Sequence, residues 1–135
     1  MLGPALAYRC AMSSPIRLAS ITLDCEDAST LADFWRQLLE LEVEYAAEDG
    51  SAFALRGEGF MLSCVQVDGY RPPAWPAERP EQQMHLDLYA DDLDHAARRA
   101  VELGGRVPEE QPQPDQWLVL LDPAGHPFCF MPPFG

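Results

Sequence analysis

Two successive β-α-β-β-β modules, together an α+β fold, are what this sequence predicts, and three observations carry the prediction. A short alternating run, a helical stripe and three further alternating runs occur in that order twice. A proline-rich stretch with Pro72, Pro73, Pro76 and Pro80 separates the two occurrences and lacks the backbone donors a sheet interior needs. Finally, the halves align by offset. Adding 65 carries Ser20 to His85, Leu23 to Leu88, Asp27 to Asp92 and Leu38 to Leu103, and adding 66 past one inserted residue carries Gly59 to Gly125, Leu62 to Phe128 and Ser63 to Cys129.

In the first module, β-branched residues alternating through Arg17 to Asp24 predict a strand. A helix follows, capped by Asp27 or Ser29, with Leu31, Phe34, Trp35, Leu38 and Leu41 as its apolar stripe. Glu42 to Ala47, Ser51 to Arg56 and Phe60 to Val67 supply three strands, with turns at Asp49-Gly50 and Gly57-Glu58-Gly59. The second module opens with Met84 to Ala90. Asp92 caps its helix, Leu93, Ala96, Ala97, Ala100 and Leu103 form the buried stripe, and Gly104 closes it. Arg106 to Pro108, Trp117 to Leu121 and Pro127 to Met131 are the remaining strands, the last preceded by an Asp122-Pro123-Ala124-Gly125 turn. The expected organisation is a leader over 1–15, modules over 16–67 and 83–135, and a linker over 68–82. Met12 offers a second start.

Composition narrows the function. The 135 residues carry 9 basic and 22 acidic side chains, a formal charge of −13, and roughly 65–70% of the unfolded surface of such a chain is buried on folding, enough for one core. The scattered arginines make no basic stripe for nucleic acid. There is no lysine, which removes Schiff-base chemistry and lysine-dependent phosphate loops. Cys10, Cys25, Cys64 and Cys129 are far apart in sequence and point to a reduced, cytoplasmic setting. The apolar start lacks a cationic flank and is too short to span a membrane, so no membrane partner is expected.

Met84-His85-Leu86-Asp87-Leu88 leading into Asp91-Asp92-Leu93-Asp94, then Glu102-Leu103-Gly104-Gly105, then Leu121-Asp122-Pro123-Ala124-Gly125-His126-Pro127-Phe128 together resemble the vicinal oxygen chelate superfamily, the glyoxalase, bleomycin-resistance and extradiol-dioxygenase group. The resemblance runs from about Ile16 to Pro132. It implies sheets curled into a cup with a helix outside each, commonly a homodimer, and four inward metal ligands on the first and fourth strands of the modules. Those positions fall on Ser20, Ser63, His85 and Cys129. The usual His, Gln and Glu pattern is missing, so a divalent metal is disfavoured and no cofactor is expected. Asp87 shares a strand face with His85 and is a possible substitute ligand.

Within the cup, His85 is a candidate general base oriented by Asp87, since imidazole titrates near neutral pH; the alternative is a hydrogen-bonding wall residue. Cys129 has no visible neighbour to activate it and reads as a small buried residue. Ser20 and Ser63 lack a hydrolase context and read as lining hydroxyls. Thr22, Met61, Tyr89 and Met131 complete the predicted lining. Trp75, Tyr70 and Trp117 are loop aromatics suited to stacking on a flat ligand, although Trp75 equally suits stapling the linker. His95 reads as solvated, His126 as a turn residue, and Asp91, Asp92 and Asp94 as helix-capping charge. The leading expectation is a protein that binds an apolar or aromatic small molecule. A metal-independent isomerase or lyase using His85, and a metal enzyme with atypical ligands, follow in that order.

Overall fold

The computed structural model describes residues 15, 17–73 and 84–133. Trp75, Cys10, Met12, most of the expected leader and the rest of the linker lie outside them. The elements are β1 (Ile21–Cys25), α1 (Ala28–Leu39), β2 (Glu42–Ala46), β3 (Ala52–Arg56), β4 (Met61–Gln66), β5 (Leu86–Tyr89), α2 (Leu93–Glu102), β6 (Leu118–Leu121) and β7 (Pro127–Met131). They make two mixed sheets, ordered β1-β4-β3-β2 and β5-β7-β6.

The offset between the halves reappears in the strand register. Thr22 pairs with Ser63 and Leu23 with Cys64 across parallel β1 and β4, while Asp87 pairs with Cys129 and Leu88 with Phe130 across parallel β5 and β7. The antiparallel partners agree as well, Ala54 facing Ser63 where Val119 faces Cys129. Matched sequence positions therefore occupy matched places in the two sheets.

Helix α1 starts where Asp27 accepts hydrogen bonds from the backbone N–H groups of Ser29 and Thr30 at 3.1 and 3.2 Å, satisfying donors the first turn leaves open. It ends at Glu40, whose φ of 54° is left-handed. Leu41 consequently lies beyond the helix, although it is buried with the stripe as expected. Helix α2 is capped by Asp92 through the His95 N–H at 3.1 Å, and Gly104 follows its end at φ 112°. Only Ala100 on its stripe is fully buried; Leu93, Ala96, Ala97 and Leu103 pack half-buried against the core.

One continuous core joins the modules. Leu23, Cys25, Leu62 and Cys64 from the first sheet meet Phe34 and Trp35 of α1, and Phe128 and Phe130 of β7 close the cluster. The Trp35 and Phe128 rings cross edge-on at 4.9 Å, the arrangement aromatic quadrupoles favour. Gly105 sits where a Cβ would come within 3.1 Å of Ala100 O, Leu121 O and the Phe34 ring, so no larger residue fits there without displacement.

Two expected strands are corrected. The first begins at Ile21, where pairing with β4 starts, and Leu18 ahead of it is 74% exposed. Arg106 to Pro108 contributes only a single bridge, Arg106 to Leu121. Proline has no N–H to continue the ladder, and Pro108 ends it.

Candidate functional site

Strand alternation sends every second side chain away from the helices. On the second sheet that far face carries His85, Asp87 and Tyr89 from β5 and its approach, Cys129 and Met131 from β7, Val119 from β6, and Trp117 just before β6. A cavity of about 270 Å³ opens on it. Its apolar wall is Pro112, Trp117, Val119, Pro127 and Met131, and its polar edge is His85, Asp87 and Cys129.

The polar edge is tightly drawn. His85 Nε2 lies 3.2 Å from Asp87 Oδ1, and one ligand atom from each of His85, Asp87 and Cys129 lies within 4.8 Å of the others. Asp87 faces Cys129 across the strand pair. Burial, then the Asp87 charge and its hydrogen bond to the thiol, push Cys129 up to about 11. Cys129 is therefore a protonated donor to Asp87 at neutral pH and not a ready nucleophile. Asp87 receives both neighbours, which fixes its carboxylate between an imidazole and a thiol.

The other expected site residues are placed as follows. Ser20 and Ser63 hydrogen-bond each other, Oγ to Oγ, at 2.7 Å, and Thr22 and Met61 share their face of the first sheet by strand parity. None of these four lines the His85 cavity. Tyr89 is on the His85 face but 61% exposed and outside the cavity lining. Tyr70 belongs elsewhere: its hydroxyl donates to Ala124 O at 2.8 Å, and it lines a separate cavity of about 160 Å³ with Cys25, Thr30 and Pro123. Trp117 is the expected aromatic that reaches the His85 cavity.

His126, expected to be a turn residue, does more than close its turn. Its backbone N–H donates to Asp122 Oδ1 at 2.9 Å, and its Nε2 lies 2.6 Å from Asp24 O, so the imidazole ties β1 to the turn before β7. Sequence reasoning missed Pro112 and Gln111. No periodic pattern marks the 107–117 segment, and its proximity to the cavity depends on tertiary folding.

The family model of the glyoxalase-like domain matches residues 20–131. The chain belongs to the glyoxalase-like domain family. No curated protein matches it. Among solved structures, this glyoxalase-like domain is similar to a possible glyoxalase from Bacillus cereus at 16% identity and TM-score 0.64, covering 86% of this chain and 98% of that one. It is also similar to a glyoxalase-related enzyme from Fulvimarina pelagi at 20% identity and TM-score 0.62, covering 88% and 92%. A mutant of the fosfomycin resistance protein FosX from Listeria monocytogenes, complexed with Mn(II) and 1S,2S-dihydroxypropylphosphonic acid, aligns at 17% identity and TM-score 0.64, covering 84% and 87%. At these identities the likeness is one of fold.

The donor chemistry of this glyoxalase-like domain can be tested against the metal its fold implies. A hard ion such as Mn(II) prefers carboxylate, carbonyl and water oxygens. Here the cluster has one carboxylate, engaged by two neighbours, and a thiol. One imidazole, one carboxylate and one thiol instead make a three-donor set of the kind zinc accepts. Among the described residues this is the only group of three such donors drawn together.

Proposed function

We propose that this glyoxalase-like domain binds an apolar or aromatic small molecule on the far face of its second sheet, without the divalent ion common in its relatives. The observation that carries the reading is the division of the cavity: five apolar side chains form the wall and the polar groups gather at one edge. Such a site holds a flat ligand by burial and orients one polar substituent toward His85 and Asp87. Trp117 supplies a rigid aromatic surface at low entropic cost. The protein is a homodimer with two equivalent sites, in keeping with closed symmetry in homo-oligomers; exposed Thr22 and half-buried Met61 on the first sheet are surface such an arrangement would use. The three described cysteines are free, which supports a cytoplasmic setting.

A second reading rests on the closeness of His85, Asp87 and Cys129. These residues would hold a zinc-type ion, whose Lewis acidity polarises a substrate oxygen. In that case Trp117 and Met131 would exclude water from the apolar side.

The deciding experiment incubates wild type and His85→Ala with neutral apolar metabolites, recovers each ligand, and compares its mass and stereochemistry with the input. The binding reading expects unaltered ligand from both proteins, affinity weakened by Trp117→Ala, and only a modest effect of His85→Ala. A compound altered by wild type and returned intact by His85→Ala replaces it with a catalytic role for His85, for which a rate loss of roughly a hundredfold is expected.

A further inference from the structure

Strand β6 is an edge strand, and its outward backbone groups are those of Val119 and Leu121. Leu121 is satisfied by Arg106, with Arg106 N–H to Leu121 O at 2.9 Å and Leu121 N–H to Arg106 O at 2.8 Å. Continuing that antiparallel register by two residues would place Pro108 opposite Val119. Proline cannot donate to Val119 O, and the ladder fails there.

The side chain of Gln111 takes over. Its Nε2 donates to Val119 O at 2.9 Å and to Pro108 O at 3.0 Å. Its Oε1 accepts the Val119 N–H at 2.9 Å. One carboxamide therefore supplies both the donor and the acceptor of a missing strand residue, and also fastens itself to the carbonyl of the proline that broke the strand. The first module fills the equivalent edge with β2, a full strand paired to β3.

The next residue is Pro112, which lines the His85 cavity together with Cys129 and Met131. Val119, the residue Gln111 clamps, is 2% exposed and lines the same cavity. Between Arg106 and Trp117, the Gln111 carboxamide ties this segment to β6 through its two bonds to Val119. We propose that Gln111 is a positioning residue that fixes Pro112 as a wall of the cavity and thereby sets the size of ligand the site admits. The inference rests on the reading of that cavity as a small-molecule site. Gln111 is not among the side chains that line the cavity and acts through Pro112 and Val119.

The test uses two neutral aromatic probes of different size, indole and N-phenyl-1-naphthylamine, titrated into full-length wild type, Gln111→Ala and Gln111→Glu. Amide hydrogen exchange at Val119 is followed in parallel. Wild type should protect the Val119 N–H and bind indole. Gln111→Ala should lose that protection and shift the affinity ratio toward the larger probe by about tenfold, because the wall has been released. Gln111→Glu keeps an acceptor for Val119 N–H but has no donor for Val119 O at neutral pH, and should give an intermediate ratio. A parallel loss for both probes with an unchanged ratio means that Gln111 is merely structural and overturns the inference. So does an unchanged ratio with unchanged affinities, while probe binding by wild type leaves the cavity reading standing. If wild type binds neither probe, the cavity reading fails and the inference fails with it.

Discussion

The indole of Trp35 donates to the carboxylate of Asp122 across 3.0 Å, joining the helix of the first module to the turn that precedes the last strand of the second. Asp122 is 2% exposed and is the buried charged residue of the described core. Its other oxygen accepts the N–H groups of Ala124 and His126 at 3.0 and 2.9 Å. A buried acceptor with three donors is expensive to remove, because the donors stay behind unpaired. Asp122→Ala should cost about 2–4 kcal/mol in urea unfolding. Asp122→Asn keeps one acceptor oxygen but turns an amide NH2 donor toward the Trp35 N–H, and should cost about 1–2 kcal/mol.

The same carboxyl gives a pH signature. Burial raises its pKa from the ordinary value of 3.8, and the opposing influence of His126 and the hydrogen bonds does not overcome it. The native state then holds this proton more tightly than the unfolded chain. The stability contributed is full below the unfolded pKa and lost as pH rises through the folded one. Wild type should therefore gain stability relative to Asp122→Asn as pH falls from about 7 to about 4, measured as the difference between their unfolding free energies. A difference that shrinks on acidification would contradict the sign.

Glu40 occupies the left-handed region at φ 54° as the C-cap of α1, a conformation that costs a side-chain-bearing residue about 1–2 kcal/mol. Glycine relieves that strain but adds freedom to the unfolded chain. The net expectation for Glu40→Gly is a gain of about 0.5–1 kcal/mol, visible as a higher midpoint in thermal unfolding.

Cysteine reactivity tests the environment of the site. Desolvation leads the causes that push Cys25 up to about 11, Cys64 up to about 12 and Cys129 up to about 11. At pH 7.5 a thiol of pKa near 11 is roughly three parts in ten thousand thiolate. In a Cys10→Ser background, iodoacetamide should leave all three unmodified in the folded protein and label all three in urea. Rapid labelling of Cys129 in the folded state would mark it as a nucleophile.

Metal content separates the two readings of the polar edge. Protein purified without chelator should carry substoichiometric divalent metal by elemental analysis, since the one carboxylate of the three-donor cluster is already engaged by His85. A firmly held zinc, nickel or iron per chain that disappears on His85→Ala would favour the metal centre.

Much of this architecture is written in local chemistry. The alternation of Leu86 to Tyr89, the caps Asp27 and Asp92, and the stripe through Leu31, Phe34 and Trp35 follow from periodicity and backbone satisfaction within a few residues. Matched strands in the two halves made the duplication legible, and the β1/β4 and β5/β7 registers repeat it pair for pair. The pairing of His85 with Asp87 was readable for the same reason, since residues two apart on a strand share a face.

Each module's opening strand and helix, and the face on which each strand residue lies, thus follow from the sequence alone, whereas the expected strand at Arg106 to Pro108 is reduced to one bridge. Long-range packing is what brings Cys129 to Asp87, bonds Ser20 to Ser63 away from the His85 cavity, turns Tyr70 to Ala124, and lets Gln111 substitute its side chain for the strand that Pro108 ends. The physical reason is range. Periodicity and capping act between neighbours in sequence, whereas these contacts join segments whose separation and angle are set by how the two sheets pack around Trp35 and Phe128.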